Sequence, residues 1–362
     1  MKNNLLSQYK NIIKSEDRWK YYKNMQMPSN IFTDRNDAES FIHNYFGTGG
    51  KGAVFLEDTQ LDRDRLFHIV SVFFLGIHLK DVLLKDDNQK KSLKPDFRYL
   101  WYLASLFHDY GYIIENNKDY YAPKDLQKLE DLKKRLKICN DLLSIKNNTP
   151  KFSKPEIEGY YHYGTKERGF VNHGIAGGLL LYDRLIKNYN NERERYCLIN
   201  GKDPLKIDEF INDKNLSWGK HQFDYFKKVA WAIINHNIWF CCEDDSNCKN
   251  LYVNEKYSIQ NLIITEKNAK QKKHNKESDP FLFLLIITDT IEPVKHFKDI
   301  KSECILEKIQ ITTNPQKQEI IIEVLDKCID FASWFKKIKT LETWVQITVE
   351  YTENKLILAN FD

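Results

Sequence analysis

The stretch LDRDRLFHIVSVFFLGIHLKDV, residues 61–82, is apolar on nearly every side of a helix. A surface helix keeps a polar face, so a helix without one belongs in the middle of a core. Yet His68 sits inside its apolar run. Four further segments repeat the pattern. Residues 97–109 (FRYLWYLASLFHD) form a second apolar helix that ends in His108-Asp109, with Gly111 placed as its C-terminal cap. Residues 170–187 (FVNHGIAGGLLLYDRLIK) carry His173 near their start, and residues 223–239 (FDYFKKVAWAIINHNIW) carry His236 near their end. In DPFLFLLIITDTIEP, Asp279 caps a helix with Pro280 at its first position, Asp289 lies within it, and Pro293 ends it.

Outward from these helices the chain is more polar. The N-terminal MKNNLLSQYKNIIKSEDRWK reads as an amphipathic helix without a leader sequence. Residues 85–96 are a charged loop, and residues 119–154 are a Lys-rich surface insertion in which KDLQKLEDLKKRLKICNDLL has helical leucine spacing. Residues 266–278 are a polar loop. After about residue 302, apolar residues alternate around an Asn-Pro turn and again around Glu353-Asn354, with a helix between. The expected fold is therefore mainly α with a small α+β appendage. A helical region, 1–55, packs on a core domain, 56–300, which carries an insertion at about 113–160; residues 301–362 form an accessory region.

Composition excludes several classes. Of 362 residues, 42% are hydrophobic, enough for a real core and against wholesale disorder. The net charge of +4 does not mark a nucleic-acid binder and is compatible with an anionic substrate. The most apolar runs, 70–77 and 281–287, are far shorter than the ~20 residues that span a bilayer. A cytoplasmic protein is expected. The seven cysteines, including Cys241, Cys242 and Cys248, show no C-x-x-C spacing and read as reduced thiols. GTGGKG at 47–52 lacks the Ser or Thr that a phosphate-binding loop needs after its Lys, and the Lys-rich run at 270–276 reads as solvated charge.

Asp289 is the most telling residue. A buried carboxylate costs several kcal/mol unless it is paired or bound to a metal. Its own helix offers no cation, Lys295 lying beyond Pro293. A divalent ion shared with neutral imidazoles would satisfy it. Mixed His and carboxylate sets suit Mn, Fe, Co, Ni or Zn, while all-oxygen sites suit Mg and Ca. The adjacent His108-Asp109, at the negative end of a helix dipole, is suited to a cation. A lone histidine on an apolar helix is more often a hydrogen-bonded core residue than a ligand. Five such positions on five helices weaken that plainer account.

The order H…HD…H…H…D, each on a core helix, resembles the HD-domain metal-dependent phosphohydrolase superfamily. RLFHIVSVFFLG, YLASLFHDYGY, NHGIAGGLLL, AIINHNI and FLLIITDTIEP carry the resemblance, between about residues 60 and 297. The wording around them is also similar to bacterial HD proteins of conflict and signalling systems. The resemblance implies an HD-type helical bundle in which His68, His108, Asp109 and Asp289 hold a first metal. His173 and His236 match the positions that hold a second ion in two-metal members, with Asp109 bridging. Many such members have two adjacent histidines at the fourth element; here Asn237 follows His236, which leaves one ion or two open, Mg among the metals.

The implied activity is attack of metal-activated water on a phosphate ester or anhydride, the substrate being a nucleotide or related small molecule. Asp109, His173 and His236 are the expected catalytic groups. Lys166, Arg168, Arg63 and Arg65 are the expected phosphate contacts. A metal-dependent nuclease, with nucleic acid as partner, and a non-catalytic nucleotide-sensing module are the alternatives. No membrane partner is expected, and oligomerisation stays open.

Overall fold

The computed structural model describes residues 4–14, 63–84, 97–117, 119, 121–145, 152–203, 221–297, 299–326 and 329–361. The helices are α1 (Leu5–Lys14), α2 (Arg63–Leu83), α3 (Phe97–Phe107), α4 (Tyr112–Asn116), α5 (Leu129–Arg135), α6 (Lys154–Glu167), α7 (His173–Asn200) and α8 (His221–Asn235). They continue with α9 (Ser246–Tyr252), α10 (Ala269–Lys272), α11 (Pro280–Ile291), α12 (Ser302–Glu307) and α13 (Ala332–Lys339). The fold is mainly α with small sheets. The loop at 85–96 and the GTGGKG segment lie outside the described residues.

Helix α2 lies at the centre, as its lack of a polar face demands: Phe67 and every residue from Ile69 to Leu75 are buried. α3, α11 and α1 pack around it, and α8 packs on α3, α7 and α11. Trp101 of α3 donates its indole N–H to the Phe73 carbonyl of α2 at 2.9 Å. In α11 the side chain of Asp279 accepts the Leu282 N–H at 3.0 Å with Pro280 in the first turn, as the sequence signals require. The helix stops at Ile291, before Pro293.

The C-terminal sheet is antiparallel, in the order β3-β4-β6-β5. Its strands are β3 (Ile309–Asn314), β4 (Glu319–Val324), β5 (Thr348–Tyr351) and β6 (Lys355–Ala359). Ile311 pairs with Ile322, and Ile320 with Leu358. The period of two puts Ile309, Ile311, Ile320, Ile322, Leu356 and Leu358 into the core together. A short parallel pair, β1 (Cys241–Cys242) and β2 (Ile263–Ile264), lies before it in the chain. The amphipathic α1 is clamped between α2 and the C-terminal sheet. Tyr9 Oη lies 3.2 Å from Ser71 Oγ, and the Gln8 amide donates to the Ile311 carbonyl at 2.8 Å. His78 of α2 donates to the same carbonyl at 3.0 Å.

The charged insertion departs from its sequence reading. The leucines over 124–143 have helical spacing, yet only α5 is α-helical there, and Lys137 turns the chain with φ 52°. Leu126, Leu129, Leu132, Leu142 and Leu143 are buried, so the leucines are spent on packing rather than on a continuous helix. Asp183 of α7 anchors the turn. Its Oδ1 accepts the backbone N–H groups of Cys139 and Asn140 at 2.9 and 2.8 Å, while Oδ2 meets Lys187 Nζ at 2.7 Å.

Burial alone would raise the Asp183 pKa, but the Lys187 ammonium and the donors of Cys139 and Asn140 outweigh it and hold it below 3.8. A depressed carboxylate contributes stability above its unfolded pKa and loses it as the pH falls through the folded value. Asp183→Ala should therefore cost about 2–3 kcal/mol at neutral pH, and the gap to the unaltered protein should close on acidification below about pH 4. Urea unfolding at several pH values checks this; a gap independent of pH would refute the anchoring role.

Five cysteines are free among the described residues. Among those residues no helix is long and apolar enough to cross a membrane.

Candidate metal centre

The five helical segments bring their polar residues to one place. His68 comes from the second turn of α2. His108 and Asp109 lie in the turn after α3, which ends at Phe107, two residues short of its sequence reading. His173 is the first residue of α7, where the Asn172 side chain caps the helix by accepting the Ile175 N–H at 2.9 Å. His236 follows α8, and Asp289 lies in the last turn of α11.

Glycine makes the convergence possible. Gly111 is not the left-handed cap expected from the sequence: its φ is −64°, and it leads directly into α4. A Cβ there would lie 1.9 Å from the His173 carbonyl oxygen, so the residue is small because two backbones touch. Gly178 serves the α7–α8 contact in the same way, a Cβ falling 2.8 Å from the Ala230 carbonyl.

The side chains form two groups able to hold a cation, His68-His108-Asp289 and Asp109-His173-His236. In the first, His68 Nε2 lies 3.2 Å from His108 Nε2, and Asp289 Oδ1 lies 3.0 and 3.3 Å from those nitrogens. Atoms about 2.1 Å from a shared ion are about 3.0–3.4 Å apart, so these spacings suit a common cation. Asp109 lies between the groups. Its Oδ2 is 3.5 Å from His68 Nε2, and its Oδ1 is 3.4 Å from His108 Nε2 and 3.6 Å from His173 Nε2.

The outer nitrogens decide the protonation. Each Nδ1 faces an acceptor: Glu292 for His68 at 2.6 Å, the Ser105 carbonyl for His108 at 2.7 Å, Glu115 for His173 at 2.8 Å, and the Ile233 carbonyl for His236 at 2.6 Å. Nδ1 must carry the proton in all four rings. In the neutral imidazoles Nε2 is then a bare lone pair, and these lone pairs are aimed at one another and at two carboxylates. That arrangement is repulsive without a cation, and it is how metal-binding histidines are held from behind.

The rings are deeply buried: His68 and His108 are 0% exposed. Burial pushes the His236 pKa down to about 3, with the His108 charge adding to it, so this ring stays neutral. Burial also opposes the charge on His108, but Asp109 and Asp289 outweigh it and raise its pKa: a proton enters between carboxylates where a metal ion would.

Two site residues escape a reading of the sequence. Glu292 is 0% exposed; it orients His68 and also accepts the Val294 N–H at 2.9 Å. Glu115 of α4 grips His173, whose ring stacks on Tyr112 at 3.8 Å between centroids. In the sequence, TDTIEP offered one signal for Glu292: a carboxylate one residue beyond an otherwise apolar helix. Glu115, followed by Asn116 and Asn117, offered none.

Asp289 differs from its sequence reading. Its side chain is 19% exposed, and Lys295 pairs with its Oδ1. The short turn Val294–His296 reverses the chain after Pro293 and brings the ammonium back. Of the expected phosphate contacts, Lys166 and Arg168 are not drawn in. Lys166 and Arg168 are exposed at the end of α6, with Arg168 over the Phe170 ring at 4.6 Å, and neither bonds to the cluster. The side chains of Arg63 and Arg65 lie outside the described residues. Asn237 places its amide nitrogen 3.4 Å from His173 Nδ1, on the side of the ring away from the cluster. No protein-family model, curated protein or solved structure matched the chain in comparison.

Proposed function

We propose that this protein is a metal-dependent phosphohydrolase with an HD-type helical core, acting on a nucleotide or related phosphate ester. The observation that carries the reading is the set of four imidazoles whose Nδ1 atoms are all committed to acceptors, leaving Nε2 lone pairs around Asp109 and Asp289. His68, His108 and Asp289 would hold one ion, and His173 and His236 the other. Asp109 would serve both. Imidazole with carboxylate favours Mn, Fe, Co, Ni or Zn over an all-oxygen preference for Mg.

When bound, divalent ions supply activated water and polarise a phosphoryl oxygen. The chain's own contribution is orientation and charge. Glu292 and Glu115 hold their histidines so that the rings need not reorganise. Asp109, Asp289, Glu292 and Glu115 against Lys295 sum to a formal −4 + 1 = −3 among the described residues. A site of that charge repels a phosphate ester until it is filled; two divalent ions reverse its sign to +1. The metal-loaded form is therefore the one that attracts an anionic substrate.

Metal analysis and a substrate panel test this. Purified protein should contain a transition metal, and the double variant His108→Ala, Asp109→Ala should lose it. With Mn²⁺, Co²⁺, Ni²⁺ or Mg²⁺ the unaltered protein should release phosphate or open a phosphodiester in a panel of nucleotides, cyclic nucleotides and single-stranded nucleic acids. Full metal retention by the double variant would remove the site; metal content without turnover on any member would leave a binding module instead of an enzyme.

A further inference from the structure

Asp289 Oδ1 faces the Nε2 atoms of both His68 and His108. The same oxygen carries Lys295 Nζ. An ion in the first group would be ligated through that oxygen and would meet the ammonium at close range. Like charges on one oxygen are unfavourable, and burial makes them more so. The lysine therefore stands where it opposes metal entry, and in the metal-free protein it supplies the positive charge that Asp289 needs.

Lys295 is also free to leave. Its stem is long and flexible, its side chain is 15% exposed, and it sits at the most exposed ligand of the cluster, Asp289 at 19%. Its backbone, by contrast, is pinned, since its N–H donates to Glu292 Oε2 at 3.3 Å. Glu292 orients His68 as well, so the lysine backbone and the first ligand share one carboxylate. An ammonium that lets go of Asp289 stays tethered beside the cluster, on the side where solvent reaches it.

We infer that Lys295 is a built-in counter-cation that metal displaces: it holds Asp289 until a divalent ion takes the first position, then pairs with the phosphoryl group of the substrate beside that ion. This rests on the metal-dependent phosphohydrolase reading above. It gives one side chain two sequential roles, and it replaces Lys166 and Arg168 as the cation that meets the substrate phosphate.

The test uses the full chain stripped of metal, with Mn²⁺ alone and then inorganic phosphate as probes. By calorimetric titration, Lys295→Met should bind Mn²⁺ more tightly than the unaltered protein by roughly tenfold, the scale of coupling between two ligands that compete for one site. The Mn²⁺-loaded variant should bind inorganic phosphate more weakly by a similar factor. Lys295→Gln, which keeps a polar head, should behave the same way, and circular dichroism should show both variants folded. A lysine that only supports the fold would give unchanged or weaker Mn²⁺ binding, and that result overturns the proposal. Tighter Mn²⁺ binding with unchanged phosphate affinity overturns the second role. Failure of the unaltered protein to bind Mn²⁺ at all would instead remove the metal-site reading on which the proposal rests.

Discussion

Asp109→Asn is expected to lower kcat/KM at least a thousandfold, about 4 kcal/mol of lost transition-state stabilisation, and to empty both metal positions. Its two oxygens reach His68, His108 and His173, so one carboxylate serves both groups. The amide is nearly isosteric, and the turn that carries it is held by the backbone, His108 N–H to the Ala104 carbonyl and Tyr112 N–H to the Asp109 carbonyl. Loss of function should therefore come without loss of fold. His236→Ala provides the contrast. It removes a ligand from the second group only and should spare an ion on the His68 side. Metal content by mass spectrometry, read beside turnover, separates the two variants. If Asp109→Asn retained full metal, the shared role of this carboxylate would be wrong.

Glu292→Ala should produce the next largest effect, and on stability as well as on metal. Glu292 is 0% exposed and holds His68 Nδ1 and the backbone N–H groups of Val294 and Lys295. Truncation leaves buried donors without an acceptor and a cavity beside them, a loss of about 3–5 kcal/mol. Removing the group that orients a metal-binding imidazole also weakens metal affinity by about 10–100-fold. Glu292→Gln keeps the shape and one acceptor oxygen, so it should fold well yet still bind Mn²⁺ less tightly. Thermal unfolding of the metal-free variants and Mn²⁺ titration check the two effects separately. Unchanged Mn²⁺ affinity in Glu292→Ala would show that His68 needs no such support.

Much of this architecture is legible in the chain because its signals are local. An apolar run without a polar face must be central, and residues 67–75 are. The Asp279-Pro280 start of α11 is a matter of one side chain and one ring. Alternation over six residues is enough to mark β3 and β4. The residues of the candidate centre are legible for a related reason. Desolvating an imidazole or a carboxylate is costly, so its presence in an apolar helix marks it as unusual before anything is known of its partners. Asn237 also stands out in the sequence, at the place where many two-metal relatives of the resembled family carry a second histidine; in the fold it faces the back of His173, where it cannot report on the number of ions.

Features that depend on contacts between distant segments are not legible in the chain. Gly111 reads as a cap because a cap is local, whereas its reason is the His173 carbonyl sixty-two positions on. The leucines of 124–143 have helical spacing, but Asp183 on α7 and the turn at Lys137 divide them. Lys295 lies beyond the Pro293 that ends the helix, but ending a helix does not send the chain away, and the turn at Val294–His296 brings the ammonium back. Glu292 and Glu115 hold rings that are far off in sequence, and no spacing rule connects them.

That His68, His108, Asp109, His173, His236 and Asp289 lie in apolar surroundings is readable from their neighbours along the chain, because burying polar atoms is costly and apolar flanks mark where it is done. Packing between distant segments sets the rest: the Nε2 atoms face inward around two carboxylates, Glu292 and Glu115 hold two of the rings, and Lys295 occupies Asp289. Ring orientation depends on an acceptor placed behind each histidine, and for His68 and His173 that acceptor comes from another part of the chain, which only packing brings within hydrogen-bonding distance.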